Sequence, residues 1–537
     1  MVNFDRWGRL TSVVHDDRPD IDYLHGMVVD HLTLTIADRN DRLGWALSEP
    51  QIRTDMDEVE FEYAVGHRLS LVIRHSFSAG WGIRMALSNV TAAPVVVSSA
   101  HWSFVLGPAV VGWGLAAGAD ASYSLHPQDG AGPVLGGVLR LGSARRAEDD
   151  GLDISPVRLR PGARFVVQWL WDWYPTPMAF GQDRHPDVPE TTVQLVGEPV
   201  TLTLDPDVAV IVPRGVDVLE DQDQRDLVAH QPGRHLVDLH SARGQTTLAL
   251  EWVAPVPECL AVATAVALSR PRTGAHVIKL SQIYEALVVQ DALVRDAGGG
   301  AGVDDAEEAG EALDLFTARL DRNRVLEPVV ARYLCGEYAR TGDPDLLTAA
   351  ADALLTQSSV QPGLGLAVAQ VSLAAMLAGQ PIEKLLGHAQ SLLTAHTPPA
   401  RSPHTATMAA GTQVAELAAL VELAAVLLTP GFARSRSRPG GFDLVRSVAS
   451  LGLHLGAGLR GQAVHPLPVD ELSHLVAVFH LLPEHINASL EPIWGRTAHA
   501  LARAAVPGVL AALMAGVEAP TGVGPAHGWL IALGGPQ

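Results

Sequence analysis

The sequence predicts a multidomain β + α protein, in which an N-terminal antiparallel β-sandwich precedes a C-terminal α-hairpin (α/α) toroid. Before residue 255, short segments of alternating apolar and polar residues are bounded by Gly and Pro; after residue 275, long Ala- and Leu-rich segments have helical periodicity. With 537 residues, the chain is also longer than a single domain with one hydrophobic core usually is. The predicted domains are a sandwich at 1–188, further strands or a small sandwich at 189–255, a linker at 256–280 and the helical domain at 281–537.

In the first half, Ile83, Met85 and Leu87 alternate with smaller or polar residues, which is typical of a strand with one buried face. Many short strands without intervening helices indicate an antiparallel sandwich. The sequence does not decide whether residues 189–255 form a separate domain. Further strands are predicted at 68–76, 95–104, 164–173, 191–196, 200–204, 208–212 and 247–252.

The densest aromatic cluster of the chain lies at residues 169–177. Three of its indoles share one face of a predicted strand, where they can stack on sugar rings while nearby polar groups bind hydroxyls. The alternative is that the same indoles fill the sandwich core. The predicted substrate-binding residues are Trp169, Trp171, Trp173, Tyr174, Asp172, Asp183 and Arg184.

The second half contains successive helical segments joined mostly by short loops, and Pro344 and Pro381 each stand in a first helical turn. Such helices form α-hairpins, in a closed toroid or an open array. The lack of a fixed-period repeat favours the toroid. The segments are 280–295, 306–320, 325–340, 345–356, 365–378, 382–395, 405–428, 442–455, 469–481 and 490–514.

Composition and charge exclude several classes of function. The formal net charge of −21 opposes binding to nucleic acid. Cys259 and Cys335 are too few for a disulfide framework or a thiolate metal site, and the histidines lack ligand spacing. No nucleotide-binding motif is present, and Gly112-Trp113-Gly114 is predicted to be a turn. We therefore expect no cofactor and no metal.

The sequence also predicts the cellular location of the protein and its kind of source organism. The N-terminus carries charges where a signal peptide needs an apolar core, and the apolar stretches are too short or too charged to span a membrane. A cytoplasmic protein without membrane insertion is expected. Arg far outnumbers Lys, which indicates a bacterial genome rich in GC. The oligomeric state stays open.

Three glutamates and one aspartate are weighed as candidates for acid and base chemistry. Glu416 and Glu422 lie on the most apolar predicted helix, where burial would raise the pKa of a carboxyl group. Glu484 lies in a loop between helices, and Asp343 is more simply the N-cap of the next helix. We predict Glu416 and Glu484 as catalytic residues. The alternatives are a hydrogen-bonded core Glu or an exposed stripe for the helix, and a turn residue for Glu484.

The order of a sandwich and then a helical toroid resembles glycoside hydrolases and phosphorylases, in which a β-supersandwich precedes an (α/α)6 barrel. At residue level, Tyr338-Ala-Arg-Thr-Gly-Asp343-Pro-Asp345-Leu-Leu is similar to a helix end, turn and helix start common in such barrels. The resemblance implies an oligosaccharide ligand and hydrolysis or phosphorolysis by a carboxylate pair. No motif matching the acid or base of those families is present.

Three functional hypotheses follow. The first is a carbohydrate-active enzyme with the carboxylate pair. The second is a non-catalytic binding or scaffold protein with the same architecture, because Ala- and Leu-rich helices can close the centre of a toroid. The third is a lyase or epimerase with a Tyr or His base, for which Tyr333 and Tyr338 are candidates.

Overall fold

The structure is a computed structural model, and its contacts divide the chain into two units. The β unit comprises Met1–Trp252, Gly456–Pro466 and Ile493–Gly495, and the helical unit comprises the remaining residues. The structure describes all residues except 29–33, 37–38, 44–48, 66, 79, 98–99, 116, 147–150, 155–156, 184–188, 190, 222–223, 270–277, 298–305, 321–326, 397–409, 430–431, 433–442, 458–460, 465, 517–522 and 534–537.

Within the described residues, the β unit contains two large antiparallel sheets. The first has the strand order β1 (Val2–Phe4), β2 (Leu10–Val13), β3 (Leu24–Val28), β11 (Ala100–Leu106), β17 (Gly151–Ile154), β16 (Ala144–Arg146), β13 (Ala117–Gly118), β26 (Gly244–Val253), β25 (Gly233–Ser241) and β22 (Ala209–Ile211), with β20 (Val193–Leu195) also paired to β26. The second has the order β27 (Gln462–Ala463), β12 (Val110–Leu115), β14 (Ser122–Pro127), β15 (Val134–Leu141), β19 (Arg164–Tyr174), β9 (Trp81–Asn89), β8 (Leu69–Ser76), β7 (Glu58–Val65) and β6 (Gln51–Asp55).

Among the described residues, the β unit also contains two small sheets and a helix. The small sheets have the orders β18 (Val157–Leu159), β10 (Val95–Val97), β4 (Leu34–Ile36), β5 (Arg39–Leu43), and β21 (Val200–Thr203), β24 (Gln224–Ala229), β23 (Val216–Asp221). Helix α1 (Pro177–Asp183) follows β19. The strands of 189–255 contribute both to the small sheet of β21, β24 and β23 and to the first large sheet.

The alternation predicted from the sequence determines which faces are buried. Along β8, Leu69, Leu71 and Ile73 are buried, and Trp169 and Trp171 of β19 belong to the same hydrophobic core. A second core cluster gathers the apolar residues of 200–252. One turn prediction was wrong: residues 112–114 lie inside β12. A Cβ at Gly114 would lie 2.5 Å from the Tyr123 ring, so glycine is required there by packing.

The helical unit is a double ring of helices. Its inner helices are α3 (Leu280–Ala297), α5 (Pro328–Thr341), α7 (Leu364–Leu377), α9 (Ala410–Leu428), α11 (Val469–His480) and α15 (Pro525–Leu533). Its outer helices are α2 (Val256–Ser269), α4 (Ala306–Arg319), α6 (Pro344–Leu355), α8 (Glu383–His396), α10 (Leu444–His454) and α14 (Ala498–Gly516). Two short helices, α12 (Glu484–Ser489) and α13 (Glu491–Trp494), lie between α11 and α14.

The inner helices form a closed ring. Each packs against the next in the order α3, α5, α7, α9, α11 and α15, and α15 packs back against α3. The outer helices α4, α6, α8, α10 and α14 each pack against the inner helix that precedes them, and α2, α6 and α8 also pack against the inner helix that follows them. The multidomain β + α fold is therefore confirmed, and its helical part is a toroid.

Local signals in the helical unit act as the sequence predicts. The Asp343 carboxylate accepts a hydrogen bond from the Asp345 amide at 3.0 Å, and Pro344 is the first residue of α6. The expected linker at 256–280 contains helix α2. Within the described residues, no helix combines the length and apolar composition that a membrane span requires.

Candidate functional site

The predicted aromatic row of β19 is divided between core and surface. Trp169 and Trp171 are each 1% exposed, and Trp171 is paired with Trp81 of β9. Trp173, two residues further along the same face, is half-buried and contacts the edges of His15 and Tyr23. The first two indoles are thus core residues of the β unit, and Trp173 lies where the row reaches the surface.

A cavity of about 370 Å³ lies at this end of the row. Its lining includes Phe77, Trp81, Trp171 and Trp173, together with Asp172. Asp172 and Phe77 are exposed. We call this cavity the aromatic pocket; its other lining residues are Met1, Val2, Val13, Gly80 and Leu135.

Hydrogen bonds to neighbouring residues fix the side chains around the aromatic pocket. The Trp81 indole donates to His75 Nδ1 at 3.1 Å, and burial lowers the pKa of His75 to about 3, so this acceptor stays neutral. The Tyr23 hydroxyl donates to the Pro133 carbonyl at 2.7 Å, which fixes the ring against which Trp173 packs. The pocket is therefore preformed.

The remaining predicted binding residues lie around the end of β19. The Tyr174 ring packs against Phe180 at a centroid distance of 5.2 Å. Asp183 is the last residue of α1, and its side chain lies outside the described part of the structure. Arg184 also lies outside the described residues.

The predicted catalytic glutamates are both exposed residues of the helical unit. Glu416 lies on the exposed face of α9. Glu484 begins α12, where its carboxylate accepts long hydrogen bonds of 3.3 Å from Asn487 and lies 4.0 Å from His499 Nδ1. Both carboxylates are thus exposed to solvent, unlike that of Glu422 on the same helix as Glu416.

Glu422, six residues after Glu416, is the buried carboxylate of α9. The two positions lie about 120° apart around the helix, so Glu422 faces the neighbouring inner helices and Glu416 does not. It is 0% exposed and accepts hydrogen bonds from the amides of Gly363 at 2.9 Å and Leu366 at 2.7 Å, at the start of α7. His474 Nε2 of α11 donates to it at 2.9 Å. The carboxylate thus joins three inner helices.

Further side chains continue this network across the centre of the ring. The His474 ring stacks on Trp529 of α15 at 4.4 Å, and the Arg332 guanidinium of α5 lies 5.8 Å from the Trp529 ring centre. Leu366 and Ala477 form a small buried cluster with Trp529. Because α7 and α15 are on opposite sides of the ring, these side chains close its centre at this level.

Ionisable groups gather where α3, α5, α11 and α15 begin. The Tyr284 ring packs on Gly528, whose carbonyl accepts a hydrogen bond from Arg332 Nη2 at 3.2 Å. The Asp470 carboxylate accepts from the Ala526 amide at 3.0 Å. These contacts bring the first turns of the four helices together, and we call this end of the ring the N-terminal mouth.

Burial perturbs the groups of the N-terminal mouth. It raises the pKa of Tyr284 to about 12, against the opposing effect of the positive charge of Arg332. Burial also raises the pKa of Glu471, against the opposing effect of His474. Sequence reasoning missed Tyr284, Arg332 and Glu471, because no local motif marks them.

The tyrosines named with the lyase hypothesis lie elsewhere. Tyr333 is 0% exposed, and its hydroxyl forms hydrogen bonds with Thr317 at 2.7 Å and with the Leu313 carbonyl at 3.3 Å. Tyr338 is half-buried near the end of α5. Among the described residues, no group of three or more His, Cys, Asp or Glu side chains has a geometry that could hold a metal ion.

The fold has a solved counterpart, although no protein-family model and no curated protein matches the sequence. The structure titled polysaccharide lyase BACCELL_00875 superposes with a TM-score of 0.69, at 12% identity, over 92% of each chain. A galactose mutarotase-like protein from Lactobacillus casei ATCC 334 matches 32% of this chain and 96% of its own, at 8% identity, with a TM-score of 0.23, too low to support an argument. The chain thus shares the fold of a polysaccharide lyase, where the sequence pointed to hydrolases and phosphorylases.

Proposed function

We propose that the protein is carbohydrate-active and cleaves an acidic polysaccharide by elimination at the N-terminal mouth of the helical ring. The observation that carries the proposal is that Tyr284, Arg332 and the first turn of α11, which holds Asp470 and Glu471, lie at one end of the ring. The matched fold of a polysaccharide lyase supports this reaction class.

Elimination needs a base, an acid and positive charge near the substrate carboxylate. Glu471 removes the C5 proton of a uronate unit, the electron pair forms the C4–C5 double bond, and the C4–O bond breaks. Tyr284 then gives its proton to the departing oxygen. Atoms and charge balance without any co-reactant, since Glu471 ends protonated and Tyr284 ends as a phenolate.

The surroundings of each residue suit these roles. A phenol with a pKa of about 12 is protonated at neutral pH and can donate. The raised pKa of Glu471 makes its carboxylate a stronger base than a solvated one. The guanidinium of Arg332, which is 5% exposed and by its charge opposes the rise in the pKa of Tyr284, stabilises both the phenolate and the negative charge that develops on the substrate.

Two other proposals are weaker. Hydrolysis or phosphorolysis by Glu416 and Glu484 would use carboxylates that are both exposed. A non-catalytic saccharide-binding protein is the second candidate, and the observation that favours it is the closed centre of the ring. Arg332, His474, Glu422 and Trp529 are each at most 5% exposed there.

The test is incubation of the full-length protein with uronate-containing polysaccharides. The new C4–C5 double bond of each product is followed by its ultraviolet absorbance. We expect loss of turnover in Tyr284→Phe and Glu471→Gln, and unchanged turnover in Glu416→Gln and Glu484→Gln. Saturated products, abolished by the last two variants, would support hydrolysis instead. Saccharide binding without any cleavage would support the non-catalytic candidate.

A further inference from the structure

The aromatic pocket has the composition of a ligand site, and the proposed reaction makes no use of it. Its lining includes Phe77, Trp81, Trp171 and Trp173, and Asp172 also belongs to it. Its volume of about 370 Å³ is in the range of small-molecule sites, which run from about 300 to 1,000 Å³. Every lining residue belongs to the β unit.

We propose that the aromatic pocket binds a neutral pyranose unit of a saccharide. The apolar C–H face of a pyranose ring packs on aromatic side chains, and its hydroxyl edge needs a hydrogen-bond acceptor. The exposed faces of Phe77 and Trp173 supply the first. The Asp172 carboxylate, which accepts from the Trp173 amide at 2.8 Å and has further lone pairs, supplies the second.

The charge of the pocket determines the class of sugar. Among the described residues that line it, Asp172 has the one ionisable side chain, none is Arg or Lys, and the Met1 α-ammonium donates its hydrogen bond to the Val14 carbonyl. A uronate or sulfated sugar would place its negative charge beside that carboxylate, which is unfavourable. A neutral sugar avoids this repulsion and uses the carboxylate as an acceptor of hydroxyl hydrogen bonds.

The backbone and the supporting residues keep the pocket open. Gly80 has φ +85°, and a Cβ there would lie 3.0 Å from the Trp171 carbonyl oxygen and 3.5 Å from Asp172 Cγ. Glycine therefore allows the loop before β9 to turn next to the carboxylate. Trp81 is fixed by His75, and Trp173 is packed against Tyr23. Preorganised walls lose little conformational freedom on binding.

The experiment is calorimetric titration of the full-length protein with neutral gluco-, galacto- and manno-oligosaccharides, and with a uronate oligosaccharide for comparison. Phe77→Ala and Asp172→Ala alter exposed side chains, so the fold should be retained. We expect at least one neutral oligosaccharide to bind, with affinity reduced about tenfold or more in each variant, as for a truncated hot spot. Trp7→Ala is the matched control, because Trp7 is a half-buried indole of the β unit outside the pocket.

Three results would overturn the proposal. They are absence of binding to every neutral oligosaccharide, binding that Phe77→Ala and Asp172→Ala leave unchanged, and preferential binding of the uronate oligosaccharide in a manner sensitive to these variants. The proposed elimination is tested separately. Tyr284→Phe should keep full affinity for the neutral oligosaccharide, and the pocket can bind sugar even if the protein cleaves none.

Discussion

Replacement of Glu422 by Gln tests whether the buried carboxylate holds the helical ring together. The carboxylate accepts hydrogen bonds from two amides of the α7 start and from His474. Gln has a single acceptor oxygen, so in either orientation its NH₂ group faces at least one buried N–H donor. The side chain also loses the charge that the positive end of the α7 dipole stabilises.

The expected magnitude follows from these contacts. A hydrogen bond to a charged group contributes about 1.5–3 kcal/mol, and an unsatisfied buried donor costs about 1–3 kcal/mol. The lower ends of these two ranges together give a decrease of about 3 kcal/mol in the free energy of unfolding. With a urea m-value of about 3 kcal/mol/M, the midpoint of the helical unit should fall by about 1 M.

The assay is urea unfolding followed by far-ultraviolet circular dichroism at a helical wavelength. Glu416→Gln, on the exposed face of the same helix, makes the same chemical change and is the matched control. We expect its midpoint to equal that of the unaltered protein. Equal midpoints for Glu422→Gln and Glu416→Gln would refute the structural role of the buried carboxylate.

Two further predictions concern packing and pH. Gly365→Ala would place a Cβ 2.8 Å from the backbone of Glu422, so α7 and α9 must separate. We expect the free energy of unfolding to fall by about 1–3 kcal/mol in the same assay. An unchanged urea midpoint would contradict this close approach. Burial lowers the pKa of His75 and His126 to about 3, so the unfolded chain binds more protons than the native β unit below pH 6.5. The urea midpoint of the β unit should therefore fall as the pH is lowered from 6.5 toward 3. His75→Gln retains an acceptor for Trp81 without titrating and should weaken this dependence; an equally steep dependence in that variant would count against the assignment.

The fold was predictable because its signals are local. Alternating residues such as Leu69, Leu71 and Ile73 face the core, and Asp343 and Pro344 start α6 where the sequence placed them. Helix α15 was missed because it is short and apolar throughout, so periodicity does not distinguish it from a loop or a strand.

The N-terminal mouth was not predictable, since its groups come from helices far apart in the chain. Tyr284, Arg332 and Asp470 all contact α15 only because the inner helices close a ring, and no spacing between them carries a signal. For the glutamates of α9, the sequence indicated that they lie on a helix, but not how that helix is rotated about its axis relative to the core. That rotation makes Glu422 the buried residue and leaves Glu416 exposed.

The closure of the ring by α15 has a consequence for the order in which the protein assembles. The hydrogen bond from Arg332 to Gly528 joins residues 196 positions apart, so the first inner helices are made long before their last neighbour. During synthesis, α3 and α11 expose the apolar faces that α15 later covers. Contacts of such sequence separation slow folding and leave intermediates prone to aggregation. The helical unit should consequently depend on chaperones while it is being translated, more than an array whose helices pack only on their sequence neighbours.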